Sequence, residues 1–266
     1  MDPLSDDVFR RLVRGYGDFV AEHGEAIGNP DLVLPNEDFF PDELTPDAHG
    51  VEMLLARMLS YAPLSPALDV RLRFVEGDSG ESSSCGPCGC GPKAGPTKGI
   101  TVVDAGDGYL IDLDVSDVRH PVVLTTALAR AIGTLVVHEA GDEVAAVGVP
   151  ARSEIAAVAS GFGALLANGA YIYGKSCGGA SVVQATRHSV EELAHLLALF
   201  VRHHELKPSG LRAVLELTPR EAFDHALARV DSNDEITTAL REHPASIAAG
   251  YFKVLPTKLS LGRLFA

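Results

Sequence analysis

Three thiols stand close together in Ser84-Cys85-Gly86-Pro87-Cys88-Gly89-Cys90-Gly91. Thiolates are soft ligands, and C-x-x-C-x-C threaded with glycines could wrap around Zn²⁺ or Cu(I), with Cys177 or a histidine as the fourth ligand. Cys85 and Cys88 also have the spacing of a thioredoxin-type dithiol, whose reactive thiolate is stabilised at a helix N-terminus. The residues that follow, GCGPKAGP, are too rich in Gly and Pro to begin such a helix, so the redox version lacks its physical basis. A loop with incidental thiols is the third reading, and all three stay open at this point.

Histidines and carboxylates supply the other candidates. His138-Glu139-Ala140-Gly141-Asp142 has the form HExxD, a potential ligand pair, but Gly141 and the polar residues after it predict a helix end. His138 and Asp142 then share no helical face, and His138 reads as a favourable charge at a helix C-terminus. Glu192 and His195 form one E-x-x-H pair. Carboxylate-bridged di-iron bundles need two such pairs with further carboxylates, and no other helix completes the set. His203 and His204 fall at a helix end, suited to its carbonyls. Cys177, before Gly178 and Gly179, has no base specified by spacing, so a structural role is expected. There is no G-x-S-x-G elbow, and no glycine-rich turn leads from a strand into a helix as nucleotide binding requires.

The elements that must position these residues are legible from periodicity. Val8, Phe9, Leu12, Val13, Tyr16, Phe19 and Val20 have helical spacing behind Ser5, a plausible cap, although Gly15 and Gly17 weaken that helix. Residues 29–47 form an acidic strap whose Phe39 and Phe40 must pack against the body. A helix is predicted over 49–61. Leu68–Val75 alternates apolar and charged residues as a half-buried strand does, and two further strands are predicted over 100–103 and 109–113. Glu76–Lys98 is a Gly/Ser/Cys-rich loop inserted between strands. Pro121–Val137 reads as a central buried helix, and Ser153–Tyr173 as a small-residue helix. Capping boxes at Ser189/Glu192, Thr218/Glu221 and Ser232/Glu235 predict three more helices, with an irregular tail after Pro244.

Composition bounds the function. With 22 Lys+Arg against 36 Asp+Glu, the formal charge is −14, the wrong sign for a nucleic-acid binder. The Ala/Gly-rich stretch at 155–170 is interrupted by Ser160 and Asn168, so no membrane span is expected there. MDPLSDDVFRR lacks the basic start and apolar run of a secretory leader, and four cysteines do not make a disulfide scaffold. A cytoplasmic chain is therefore the expectation. No repeat or linker divides residues 1–266, which predicts one α+β domain, predominantly helical, with a small three-stranded sheet.

Four stretches carry a family resemblance: PNEDFFPDELTPDAHGVEMLLARMLSYAPL, LTTALARAIGTLVV, SEIAAVASGFGALLANGAY and HSVEELAHLLALFVRHHEL. In order and pattern, from Pro35 to Glu205, they resemble an uncharacterised bacterial family with a zinc-metallopeptidase-like HExxH helix. The resemblance implies a zincin-like set of packed helices around the sheet. At the motif itself the chain departs from the family: Arg130, Ala131 and Thr134 stand where His, Glu and His would. A zincin uses two histidines one turn apart to hold zinc and the glutamate to activate water. A guanidinium stays protonated and Ala has no base. Glu154, matching a family acidic residue, is the one remaining carboxylate, and an ion pair with Arg130 is expected in place of metal. The resemblance thus implies a catalytically inactive metallopeptidase-like protein, binding a protein or peptide partner, with no cofactor in its helical cleft. The alternative is a metal-binding or thiol-redox protein that uses Cys85, Cys88 and Cys90, with zinc or copper as the ion.

Overall fold

The computed structural model describes residues 4–76, 100–141, 149–176 and 179–257. The fold is α+β and predominantly helical. Among the described residues a three-stranded mixed sheet, a separate two-stranded hairpin and ten α-helices alternate along the chain.

Helix α1 (Asp6–Ile27) starts where Ser5 accepts from the Val8 N–H, and it buries Phe9, Leu12, Val13, Tyr16 and Phe19. Its glycines are tolerated because neighbours come close. A Cβ on Gly17 would meet Ile247 Cγ2 at 2.5 Å, so the missing side chain seats a later helix. The acidic strap follows, with Phe39 and Phe40 half-buried and edge-on to Tyr61. Asp47 caps α2 (Ala48–Tyr61) through the Gly50 N–H.

Strands β1 (Val70–Val75), β2 (Thr101–Asp104) and β3 (Tyr109–Asp114) lie in the order β1-β3-β2, with β1 parallel and β2 antiparallel to β3. Tyr109, Ile111 and Leu113 alternate inward as a half-buried strand requires. On the outer face Arg73 grips Asp112 across the strands with two 2.7 Å bonds.

Helix α3 (Pro121–Glu139) runs through the core and is buried almost all round, as its mostly apolar sequence predicts. By length and composition it could also cross a membrane, but 72 % of that window is buried within the fold. Such a helix is what a protein core uses for the same apolar sequence.

The small-residue segment is the main departure from the sequence reading. It is not one helix but α4 (Val149–Ala157), a wide π-type turn (Val158–Phe162) and α5 (Gly163–Gly169). The break is at Gly161, where φ is +94° and a Cβ would stand 2.0 Å from the Asp31 carbonyl oxygen. The strap crosses there, and Val33 N–H donates to the Gly161 carbonyl. Beyond α5 the chain is extended, with β4 (Ile172–Ser176) paired antiparallel to β5 (Gly179–Val183).

Ser189 and Glu192 make both bonds of the expected capping box at α6 (Val190–His203). The other two boxes do not form. After a short α7 (Pro208–Val214), α8 (Leu217–Asp231) begins before Thr218, placing that residue inside the helix. Ser232 ends α8 by donating to the Ala228 carbonyl, and α9 (Asp234–Glu242) starts at Asn233. The tail after Pro244 opens with a further helix, α10 (Pro244–Ala248), packed on α1.

Candidate functional site

Arg130 projects from α3 and Glu154 from α4, two helices in close packing. Their approach depends on Gly133, where a Cβ would lie 2.0 Å from the Ser153 carbonyl oxygen. Arg130 Nε stands 2.9 Å from Glu154 Oε1, with Arg130 8 % exposed and Glu154 fully buried. The ion pair anticipated from the sequence is therefore formed. Its geometry is that of a close charge contact and not an aligned hydrogen bond at Nε; Arg130 Nη1 instead donates to the Ala185 carbonyl at 3.3 Å.

The segment leaving β5 supplies the rest. Glu154 Oε1 accepts the Arg187 N–H at 2.8 Å, and Oε2 accepts the His188 N–H at 2.9 Å. His188 Nδ1 also lies 2.9 Å from Oε2. An ionised carboxylate can only accept, so the proton of that contact belongs to Nδ1. Burial alone would push the Glu154 carboxyl up. The His188 ring, the two main-chain N–H groups and the Arg130 charge outweigh it and hold the carboxyl below its usual range. The loop is fixed in turn by Gln184 Nε2 and Thr186 Oγ1, both donating to the His188 carbonyl, at 2.9 Å and 2.8 Å.

Thr134 and Ala131 do not complete a reactive centre. Thr134 Oγ1 lies 3.0 Å from both the Arg130 carbonyl and Ser153 Oγ, and Ala131 is fully buried in the core. No group of three His, Cys, Asp or Glu side chains able to hold a metal occurs among the described residues. Cys85, Cys88, Cys90 and Cys177 lie outside those residues, as does Asp142 of the HExxD string. Helix α3 does end as expected: its last residue is Glu139, and Gly141 turns away at φ +80°. Glu139 accepts from the Tyr109 hydroxyl at 2.7 Å, pinning the sheet to the helix end.

The remaining histidines are structural. Glu192 is taken by the capping box and by Arg11 at 3.1 Å, and His195 packs edge-on to Phe9 with Nδ1 2.7 Å from the Glu191 carbonyl. Burial pushes His195 down to about 4. His203 is also pushed to about 4, first by burial and then by the charges of His204 and Arg241. It is therefore neutral at ordinary pH; it does stand at the end of α6 as expected, and its ring pairs with the buried Tyr16 hydroxyl at 3.1 Å.

His188 stands out in the sequence as the first of the histidines at 188, 195, 203 and 204, but nothing in that spacing pairs it with Glu154. Its place immediately before the Ser189 cap fixes the turn that presents its N–H.

A second concavity, of about 360 Å³, opens between the strap and α2. Phe40, Leu44, Met53 and Leu54 line its apolar floor, and Glu37, Asp42 and Glu43 contribute carboxylates. Arg57 binds Asp42 at 2.7 Å, and Met53 is 47 % exposed.

Fold and site together define an α+β helical protein whose buried polar centre is an arginine–glutamate–histidine network. Comparison with family models, with curated proteins and with solved structures finds no match.

Proposed function

We propose that the chain is a catalytically inactive, metallopeptidase-like protein that works as a binding or accessory module. The observation carrying this reading is the occupancy of Glu154. Oε2 accepts from the His188 main chain and contacts its ring, while Oε1 accepts from the Arg187 N–H and faces the Arg130 charge, so the buried carboxylate has its charge and its hydrogen bonds matched by the protein itself. A guanidinium at the place of the first family histidine supplies charge where a zincin needs a neutral ligand.

The binding surface in this reading is the groove between the strap and α2. Its apolar floor suits a Leu-, Met- or Phe-type anchor. Its unneutralised carboxylates, Glu37 and Glu43, suit a Lys or Arg beside that anchor. The partner is thus a polypeptide segment that is both apolar and cationic.

Fluorescence anisotropy with a labelled decapeptide of alternating Leu and Arg tests this, with mass spectrometry of the same peptide after incubation. Saturable binding is expected, weakened about tenfold or more, equivalent to about 1.4 kcal/mol, by Met53→Asp and by Glu37→Lys with Glu43→Lys. The peptide should stay intact. Binding that ignores these substitutions, or cleavage that Glu154→Gln abolishes, would overturn the reading.

A further inference from the structure

A chain with a formal charge of −14 gathers three arginines at one cleft. Arg10, Arg11 and Arg14 lie within the first half of α1 and line a cleft of about 390 Å³ against Ala249, Gly250 and Phe252. As built, the arrangement is unfavourable. Arg10 and Arg14 are an i,i+4 like-charge pair, which opposes helix formation.

Arg11 is neutralised by Glu192 at 3.1 Å. Among the described residues no carboxylate pairs with Arg10 or Arg14. Each instead gives one N–H to the main chain: Arg10 Nη1 to the Phe252 carbonyl at 3.4 Å and Arg14 Nε to the Ala248 carbonyl at 3.3 Å. The Phe252 ring lies 5.9 Å from the Arg10 guanidinium carbon, holding that group by a cation–π contact. Gly250, whose φ of +84° suits glycine, forms the opposite wall, facing Arg14. These contacts orient both forks while leaving most of their donors unused. Asp7 shares the lining, so with Arg11 matched by Glu192 the cleft stays positive by one charge, Arg10 and Arg14 against Asp7.

We infer that this cleft binds the phosphate group of a small molecule, with Arg10 and Arg14 as its two forks. A guanidinium matches phosphate oxygens in a bidentate geometry, and an anion seated between the two relieves their mutual repulsion. The site lies apart from the Arg130–Glu154 network and does not depend on the binding-module reading.

Isothermal titration of the full chain at low ionic strength, with inorganic phosphate, glycerol 3-phosphate and glycerol, tests it. One-to-one binding of both phosphate-bearing probes with Kd of about 1 mM or tighter is expected, weakening as salt rises, with no heat from glycerol. Arg10→Gln with Arg14→Gln should weaken it at least tenfold while the circular dichroism spectrum is unchanged, since both side chains are on the surface. Arg57→Gln should leave it unaltered. Preference for glycerol 3-phosphate assigns the site to phosphorylated metabolites, and equal affinity assigns it to the free ion. Absence of binding, or binding that survives the double substitution, overturns the proposal.

Discussion

A carboxylate sealed from water must either lose its charge or find enough donors to keep it, and Glu154 does the second. Its four contacts come from two separate parts of the chain: α3, and the side chain and main chain of the segment after β5. A buried pair of this kind adds little net stability over an apolar filling, but removing one partner strands the other. Arg130→Met and Glu154→Gln are therefore each expected to cost about 3–5 kcal/mol in urea unfolding. The double variant should cost less than the sum, with a coupling of about 1–3 kcal/mol. Because the folded-state pKa of Glu154 is depressed, its contribution is complete above the ordinary glutamate range and is lost as pH falls through the folded value. Additive losses would contradict the network.

At the scale of elements, close approach of backbones decides which residues are essential. Gly133 lets α3 meet α4, and a Cβ there would collide with main-chain oxygen at 2.0 Å. Gly15 in α1 faces only Ile155 Cδ1, the far end of a side chain, at 3.0 Å. Gly133→Ala should lose about 1–3 kcal/mol through overpacking despite Ala's better helix propensity. Gly15→Ala should be neutral or gain up to about 1 kcal/mol. Comparing the two urea midpoints separates packing from propensity, and a stable Gly133→Ala protein would count against the tight α3–α4 contact.

The same scale shows what the sequence could disclose. The alternation of Leu68–Val75 and the apolar run of α3 announced their elements because burial imposes a period. SEIAAVASGFGALLANGAY read as one helix because Ala and Gly carry almost no periodic signal. Its break at Gly161 is imposed by the strap, remote in sequence. Of the three S/T-x-x-E strings, Ser189 caps because the chain enters it extended, whereas Ser232 follows a helix and is used to end it.

Across the whole molecule, the core is arranged around α3, which meets the sheet at Glu139 and Tyr109 and α4 at Arg130 and Glu154. The facing of Arg130 and Glu154 was legible through the pattern resemblance. The part played by His188, and the placing of two arginines in a cleft with Phe252, were not, since both depend on contacts between distant segments. The acidic strap serves two ends here, crossing over Gly161 and walling the groove beside α2.

In the function proposed above, the Arg130–Glu154 ion pair occupies the place of a zinc site. The most direct measurement is the zinc content, after equilibrium dialysis against zinc, of a chain with Cys85, Cys88, Cys90 and Cys177 all replaced by Ser. Removing the thiols leaves the helical cleft as the site in question. No stoichiometric zinc should be retained. One zinc per chain, lost when Glu154→Gln is added, would contradict the account.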